Sequence, residues 1–99
     1  MAQVNISRVS QDLDADPQEF KVSVTDDDKT ETIHQVHVSR QMHQRLTGGL
    51  KSSEELVKAS FEFLLERENK ESILKSFDLG EIQKYFPEYA TLIATQLAK

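Results

Sequence analysis

Alternating hydrophobic and polar residues early in the chain predict a β-hairpin. Phe20, Val22 and Val24 are separated by polar residues, so they occupy one face of an extended strand. The turn-forming sequence Asp26–Lys29 follows, and the alternation resumes over Thr30–Val38. One face of this second strand carries four residues: Thr32, His34, Val36 and Val38. The two strands therefore form an antiparallel hairpin with one largely apolar face, which other elements must cover.

Residues 1–18 are polar and acidic, and they are predicted to form a partly flexible lead-in to a single domain over residues 19–97. Val4 and Ile6 alternate with polar neighbours, which allows a short strand in this segment. The sequence therefore predicts a sheet of at least two strands, to which this segment can add a third.

Capping residues define two helices after the hairpin. Ser39 is a favourable N-cap for a short helix over Arg40–Leu46, and Gly48-Gly49 is expected to end it. Ser52, with a glutamate three residues later, has capping-box spacing and starts a helix predicted over Ser53–Asn69. Apolar residues on this second helix spread wider than one stripe. The helix is therefore central in the domain, or part of its surface meets another subunit.

The remaining apolar positions predict three shorter helices: Lys70–Phe77, Leu79–Phe86 and Tyr89–Leu97. Asn69 is expected to cap the first, Asp78 with Glu81 to form a capping box for the second, and Pro87 to end the second. The predicted fold class is α+β. It consists of an N-terminal antiparallel β-hairpin, with or without a third strand, packed against three to five C-terminal helices.

Composition limits the classes of protein to which the chain can belong. Ninety-nine residues fit one domain, and the absence of cysteine removes disulfides, thiolate nucleophiles and cysteine-ligated metals. No apolar run approaches the roughly 20 residues of a membrane span, and the first residues lack the apolar core of a signal peptide. We therefore expect a cytoplasmic protein with no membrane partner. No phosphate-loop or nucleophile-elbow motif is present, so we expect neither a cofactor nor enzymatic activity.

The central helix provides the leading interpretation. Phe61 and Phe63 lie about 200° apart on a helix, so one apolar stripe cannot contain both. Phe61, Phe63 and Leu64 are therefore predicted to contribute to an interface with a protein partner or with a second copy of the chain. This pattern, without catalytic motifs, indicates a small non-enzymatic protein-interaction module.

A basic window provides the alternative interpretation. The net charge of the chain is −5, yet residues 33–53 carry three bases and no acid. The candidate phosphate contacts of a nucleic-acid-linked, antitoxin-like regulator are Arg40, His43, Arg45 and Lys51. Three bases form a small electrostatic footprint, and no aromatic stacking platform accompanies them. Nucleic-acid binding is therefore the less favoured interpretation.

The histidines provide a third interpretation, in which His34, His37 and His43 contribute to a metal site. His34 and His37 are three residues apart on a strand and point to opposite faces, which is a poor arrangement for chelation. No metal ligand is assigned on this basis. If His34 faces the core, we expect its ring to be hydrogen-bonded there.

The C-terminal half carries a distinctive string, F-E-F-L-L-E-R-E-N-K-E-S-I-L-K-S-F-D-L-G-E-I-Q-K-Y-F-P-E-Y, after a hairpin that ends H-Q-V-H-V. Over residues 20–93 this pattern resembles a set of short uncharacterised prokaryotic proteins that share FEFLLERE, ESIL and YFPEY elements. This chain has Asn69 where those proteins often carry proline. The resemblance implies a prokaryotic origin but no activity, and no functional residue is carried over from it.

Overall fold

In the part of the chain that the structure describes, the sheet has four strands, one or two more than the sequence predicts. A computed structural model describes residues 2–9, 12 and 15–97. Strands β1 (Gln3–Arg8), β2 (Gln18–Thr25) and β3 (Glu31–Val38) pair antiparallel in chain order. Strand β4 (Ser76–Asp78) then pairs parallel to β3, and the strand order is β1-β2-β3-β4. The α+β class and the N-terminal hairpin are confirmed, while the sheet is larger and mixed.

The described residues form four α-helices: α1 (Arg40–Thr47), α2 (Ser53–Leu65), α3 (Ile82–Tyr85) and α4 (Tyr89–Leu97). All pack on one side of the sheet, where α2 contacts the strands and α4 packs on α1, α2 and α3. Phe20, Val22 and Val24 on β2 are fully buried beneath them, as the alternation predicts. Lys21 between them is exposed, and Ser23 is half-buried. The sheet therefore has one apolar face packed on helices and one polar face open to solvent.

The two predicted helix starts are confirmed by their capping bonds. The Ser39 hydroxyl accepts the N–H of Met42 at 3.1 Å, and Gly48 closes α1 in the left-handed conformation with φ +64°. Ser52 and Glu55 form the reciprocal capping box of α2. This helix ends at Leu65, earlier than predicted, and beyond it the Arg67 N–H bonds to the Leu64 carbonyl three residues back, at 3.0 Å.

The helix predicted over Lys70–Phe77 is wrong. A single 3₁₀ turn occupies Lys70–Ser72, and β4 follows it. Phe77 pairs with Val36 of β3 and is buried, so a long-range strand pairing overrides the local helical pattern. The predicted caps at Asn69 and Asp78 also fail, since neither side chain makes a capping bond.

The N-terminal segment contributes to the domain. β1 pairs with β2 over its whole length, so the sheet begins inside the region predicted as a lead-in to residues 19–97. Ala2, Val4 and Ile6 pack against the core but stay only partly buried. The expectation of flexibility at positions 1, 10, 11, 13 and 14 lies outside the described residues.

The buried side chain of Lys70 hydrogen-bonds to the turn between β2 and β3 and so links that turn to the C-terminal half. Only 3% of Lys70 is exposed, and its Nζ donates to Asp26 Oδ2 at 2.6 Å, Thr30 Oγ1 at 2.7 Å and Glu71 Oε2 at 2.5 Å. The three acceptors match the three N–H donors of an ammonium group. The hydrogen bonds to Asp26 and then Glu71 raise the pKa of Lys70 well above its usual range.

A second buried polar contact joins α2 to α4. Ser60 donates to the Leu56 carbonyl at 2.7 Å, so the Tyr89 hydroxyl must donate to Ser60 Oγ at 2.6 Å. Burial raises the pKa of Tyr89 to about 12.

Substituting Lys70→Met keeps a stem of similar length and removes three charge-assisted hydrogen bonds, so we expect the Tm to fall by several degrees. The pKa of Lys70 is raised on folding, so its stabilisation is complete below pH 10.5 and is lost as the pH rises further. The Tm gap between the two proteins should therefore narrow at strongly alkaline pH. Lys75→Met, at an exposed position, is the control; an equal Tm loss there would contradict the specific role of Lys70.

Substituting Tyr85→Phe leaves Tyr89 as the single tyrosine. We expect its phenolate absorbance, followed in the near ultraviolet, to appear with a midpoint at a pH of about 12. The raised pKa means that Tyr89 stabilises the fold fully below pH 10.0, and this stabilisation is lost as the pH rises towards 12. A reversible titration complete by pH 10.0 in the folded protein would show that Tyr89 is accessible to solvent.

Candidate functional site

The three predicted interface residues lie inside the domain. Phe61, Phe63 and Leu64 are 0%, 5% and 4% exposed in a single chain. Phe61 packs under the sheet, with its ring centroid 5.4 Å from that of His34, while Phe63 packs 5.3 Å from Tyr89 of α4. The broad apolar surface of α2 is thus buried between the sheet and α4. Their contribution to an interface stays a prediction, and in a single chain little of these three side chains is exposed to a partner.

An open apolar groove lies beside the β4 edge of the sheet, where the helical layer leaves the core incompletely covered. Its volume is about 270 Å³. The described residues that line it come from α2, the segment before β4, β4 itself and α3: Leu64, Glu68, Ser72, Ile73, Leu74, Phe77, Ile82, Tyr85 and Phe86. Most are apolar, so the groove offers an apolar surface without a set of converging polar groups.

Leu74 and Tyr85 form the exposed rim of this groove. Half of Leu74 and 69% of Tyr85 are exposed, whereas Ile73, Phe77 and Ile82 are buried as its floor. Sequence reasoning missed both rim residues. The sequence carries no clear signal for Tyr85, because the residues three and four positions after Ile82 both lie near its face of a helix and spacing alone does not separate them.

A buried histidine fixes the position of the Leu74 backbone. His34 is 1% exposed, and its Nδ1 donates to the Leu74 carbonyl at 2.7 Å. Its Nε2 lies 2.8 Å from the Thr32 hydroxyl, which is its second hydrogen-bond partner. The prediction that a core-facing His34 is hydrogen-bonded is confirmed. The same contact joins β3 to the segment that forms the rim of the groove.

The chain around the groove is acidic. Residues 62–88 hold seven acids and four bases, a net charge of −3. Two of those bases are already engaged. Lys70 is buried, and the Arg67 guanidinium lies 3.7 Å from the centre of the Phe63 ring, with Glu66 and Glu88 within 3.6 and 3.9 Å. The only charged residue among the described groove-lining residues is Glu68.

The basic window divides between two surfaces. Arg40 and His43 line a polar cleft of about 290 Å³ together with Arg8, which the sequence pattern does not single out. Arg45 does not line this cleft, and it lies about 140° from Arg40 around α1. Lys51 contributes its carbonyl, which accepts the His43 Nε2–H at 2.6 Å. The four predicted phosphate contacts therefore do not share one face.

Acidic groups balance the charge of this polar cleft. Arg8 donates to Glu54 at 2.9 Å and also to Gln18. The Arg40 backbone N–H donates to Asp16 Oδ1 at 2.9 Å, so the first turn of α1 already holds an anionic group. The cleft therefore lacks the unopposed positive potential that phosphate binding requires. Nucleic-acid binding through Arg40, His43, Arg45 and Lys51 stays a prediction.

The histidine-based metal hypothesis gains no support from the geometry. Both ring nitrogens of His34 are hydrogen-bonded, and His37 lies on the opposite face of β3 beside Glu19 at 3.4 Å. Within residues 2–9, 12 and 15–97, no three His, Cys, Asp or Glu side chains are grouped to hold a metal ion. None of the described helices is both long enough and apolar enough to cross a membrane.

Comparison with protein-family models, with curated proteins and with solved structures finds no match to this chain. The site must therefore be interpreted from its own geometry. In the apolar groove, exposed and buried apolar side chains from several elements are contiguous.

Substituting His34→Leu removes the hydrogen bonds to Leu74 and Thr32 while keeping an apolar side chain beneath the sheet. We expect the free energy of unfolding to fall by about 1–3 kcal/mol in urea denaturation. His37→Leu on the solvent face of the same strand is the matched control, and its effect should be within a few tenths of a kcal/mol. Equal effects at the two positions would contradict the structural role of His34.

Proposed function

We propose that this protein is a small non-enzymatic protein-interaction module of a prokaryotic cytoplasm, and that the apolar groove receives an apolar side chain of a partner protein. The observation that carries the proposal is the exposed pair Leu74 and Tyr85, contiguous with the buried groove floor. Exposed apolar surface that continues into a concave, buried floor is typical of a contact site. The absence of cysteine and the resemblance to prokaryotic proteins favour the cellular setting.

The shape of the groove favours a protein segment over a small-molecule substrate. Drug-sized ligands occupy pockets of about 300–1,000 Å³ that enclose most of the ligand surface and present a few converging polar groups. This groove is smaller, at about 270 Å³, and it is open. It suits one or two apolar side chains that project from a larger partner, as in anchor-type recognition of peptides.

The charge around the groove favours a basic partner segment. Residues 62–88 have a net charge of −3; within them Arg67 is paired with Glu66 and Glu88, and Lys70 with Glu71. Lysine or arginine beside the apolar anchor would face Glu68 on the groove wall. We therefore propose a partner segment with an apolar anchor flanked by basic residues.

Selection of short peptides from a random displayed library tests this proposal and does not require the natural partner to be identified. We expect the selected peptides to combine a large apolar residue with nearby lysine or arginine. Their affinity should fall roughly tenfold or more for Leu74→Asp, because a carboxylate replaces a contact residue on the groove rim. Tyr85→Ala should give a loss in the same direction.

Leu92→Asp is the matched control for Leu74→Asp. Leu92 is 44% exposed on α4 and does not line the groove, so the same change of charge occurs at a leucine of similar exposure. Peptide affinity should stay at the wild-type level in this variant. Selected peptides that bind Leu74→Asp as well as they bind the wild type, or a selection without enrichment, would overturn the proposal. A wild-type Tm in each variant shows that the fold is retained.

A further inference from the structure

We propose that two copies of this chain associate through β1, whose free edge pairs antiparallel with the same edge of the partner copy. The resulting sheet would have eight strands, with the helices of both copies on the same face. β1 and β4 are opposite edges of the four-stranded sheet. This association is therefore independent of peptide binding in the groove beside β4, and either proposal can fail without the other.

The direction of the backbone groups in β1 follows from one hydrogen bond and the strand register. The Val9 N–H donates to the Glu19 carbonyl at 2.9 Å, and the β1–β2 register continues from that pair without interruption. Hydrogen-bonded and non-bonded positions alternate along an antiparallel strand. Odd-numbered residues of β1 therefore bond to β2. Val4, Ile6 and Arg8 direct their N–H and carbonyl groups away from β2, towards the free edge.

This edge lacks the features that usually prevent strand pairing. β1 is six residues long and contains no proline, no lysine and no bulge in its register with β2. Its only charged residue, Arg8, is held on the inner face by Glu54 and lies 5.1 Å from the centre of the Phe20 ring. The guanidinium therefore does not shield the outward backbone groups. In the described part of the chain, no strand lies beyond β1.

The opposite edge is protected by its shortness. β4 has three residues, and its exposed positions are Ser76 and the charged Asp78. A strand this short offers too few outward backbone groups to template a partner strand. Extension of the sheet is therefore directed to β1.

The sequence of β1 is self-complementary about Asn5. In a two-fold antiparallel pair centred there, Val4 lies opposite Ile6 of the second copy on the inner face, and Gln3 lies opposite Ser7 on the outer face. Apolar residues meet apolar residues, polar residues meet polar residues, and no like charges oppose each other. Val4 and Ile6 are half-buried at the end of the sheet, so pairing would complete their burial. These features favour a second copy of the chain as the occupant of the edge.

Sedimentation equilibrium of the full chain with a C-terminal tag, from low micromolar to millimolar concentration, tests the association. The apparent mass is expected to rise from the 11.3 kDa of one untagged chain, plus the tag, towards twice the total. A single monomeric species at every concentration would overturn the proposal.

Amide hydrogen exchange identifies the edge that pairs. At low concentration the outward N–H groups of Val4, Ile6 and Arg8 should exchange fast, while those of Asn5 and Ser7 are protected by β2. In the associated protein, exchange at the three outward amides should slow by roughly tenfold or more. A dimer in which these three amides remain fast would overturn the β1 assignment.

Two variants separate edge pairing from general charge effects. Val4→Lys places an ammonium group among the paired apolar residues and should shift association to at least tenfold higher concentration. A single chain tolerates this lysine, because its half-exposed position lets the stem reach solvent. Ser7→Lys adds the same charge on the outer face of the same strand and should leave association near the wild-type level. Association of Val4→Lys at the same concentration as the wild type would contradict pairing through β1. The peptides selected for the groove should bind Val4→Lys and Ser7→Lys with wild-type affinity.

Discussion

The parallel pairing of β4 with β3 is the constraint on which the C-terminal half of this protein depends. The three residues of β4 return to the sheet from the end of α2, and the Gln35 N–H donates to the Lys75 carbonyl at 2.7 Å. Two buried polar groups hold the segment before this short strand, namely the imidazole of His34 at the Leu74 carbonyl and the ammonium of Lys70 at the hairpin turn. Every polar hydrogen-bonding group of the His34 and Lys70 side chains has a partner. The groove exists because this chain segment is held at the sheet edge while α3 turns away from it.

Local signals in the sequence predicted the elements that local interactions determine. Alternation located β2 and β3, and the serines before α1 and α2 located both helix starts, because each signal and its consequence lie within a few residues. β4 was not predictable in this way. Its partner lies 41 positions earlier in the sequence, as the register of Val36 with Phe77 shows, and three residues carry no usable periodicity. Ile73 and Phe77 are compatible with a helical spacing, so the tertiary pairing decided the outcome.

The residues of the candidate site were not predictable either, because the sequence does not determine which apolar side chains are exposed. A helix with apolar residues on opposite sides can be buried between two layers or can meet another subunit, and the sequence alone does not distinguish these cases. Here α4 covers the second side, which places Phe63 against Tyr89 in the interior. Leu74 follows the buried Ile73 directly, and only the geometry of the segment before β4 decides which of the two faces solvent. Exposure at a groove rim is therefore a property of the assembled fold.

The two edges of the sheet suit different kinds of contact, and their separation has a consequence for function. If two copies pair through β1, the two β4 strands lie seven interstrand spacings apart, roughly 34 Å. The two grooves would then be at opposite ends of one continuous sheet, related by the two-fold axis. A partner with a single anchor segment would bind each copy independently. A partner with two anchor segments, joined by a linker that spans the distance between the two grooves, would bind both copies at once. Its affinity would exceed that of a single anchor although each groove makes the same contacts. Self-pairing at β1 would thereby convert a small groove of modest affinity into a bivalent binding surface.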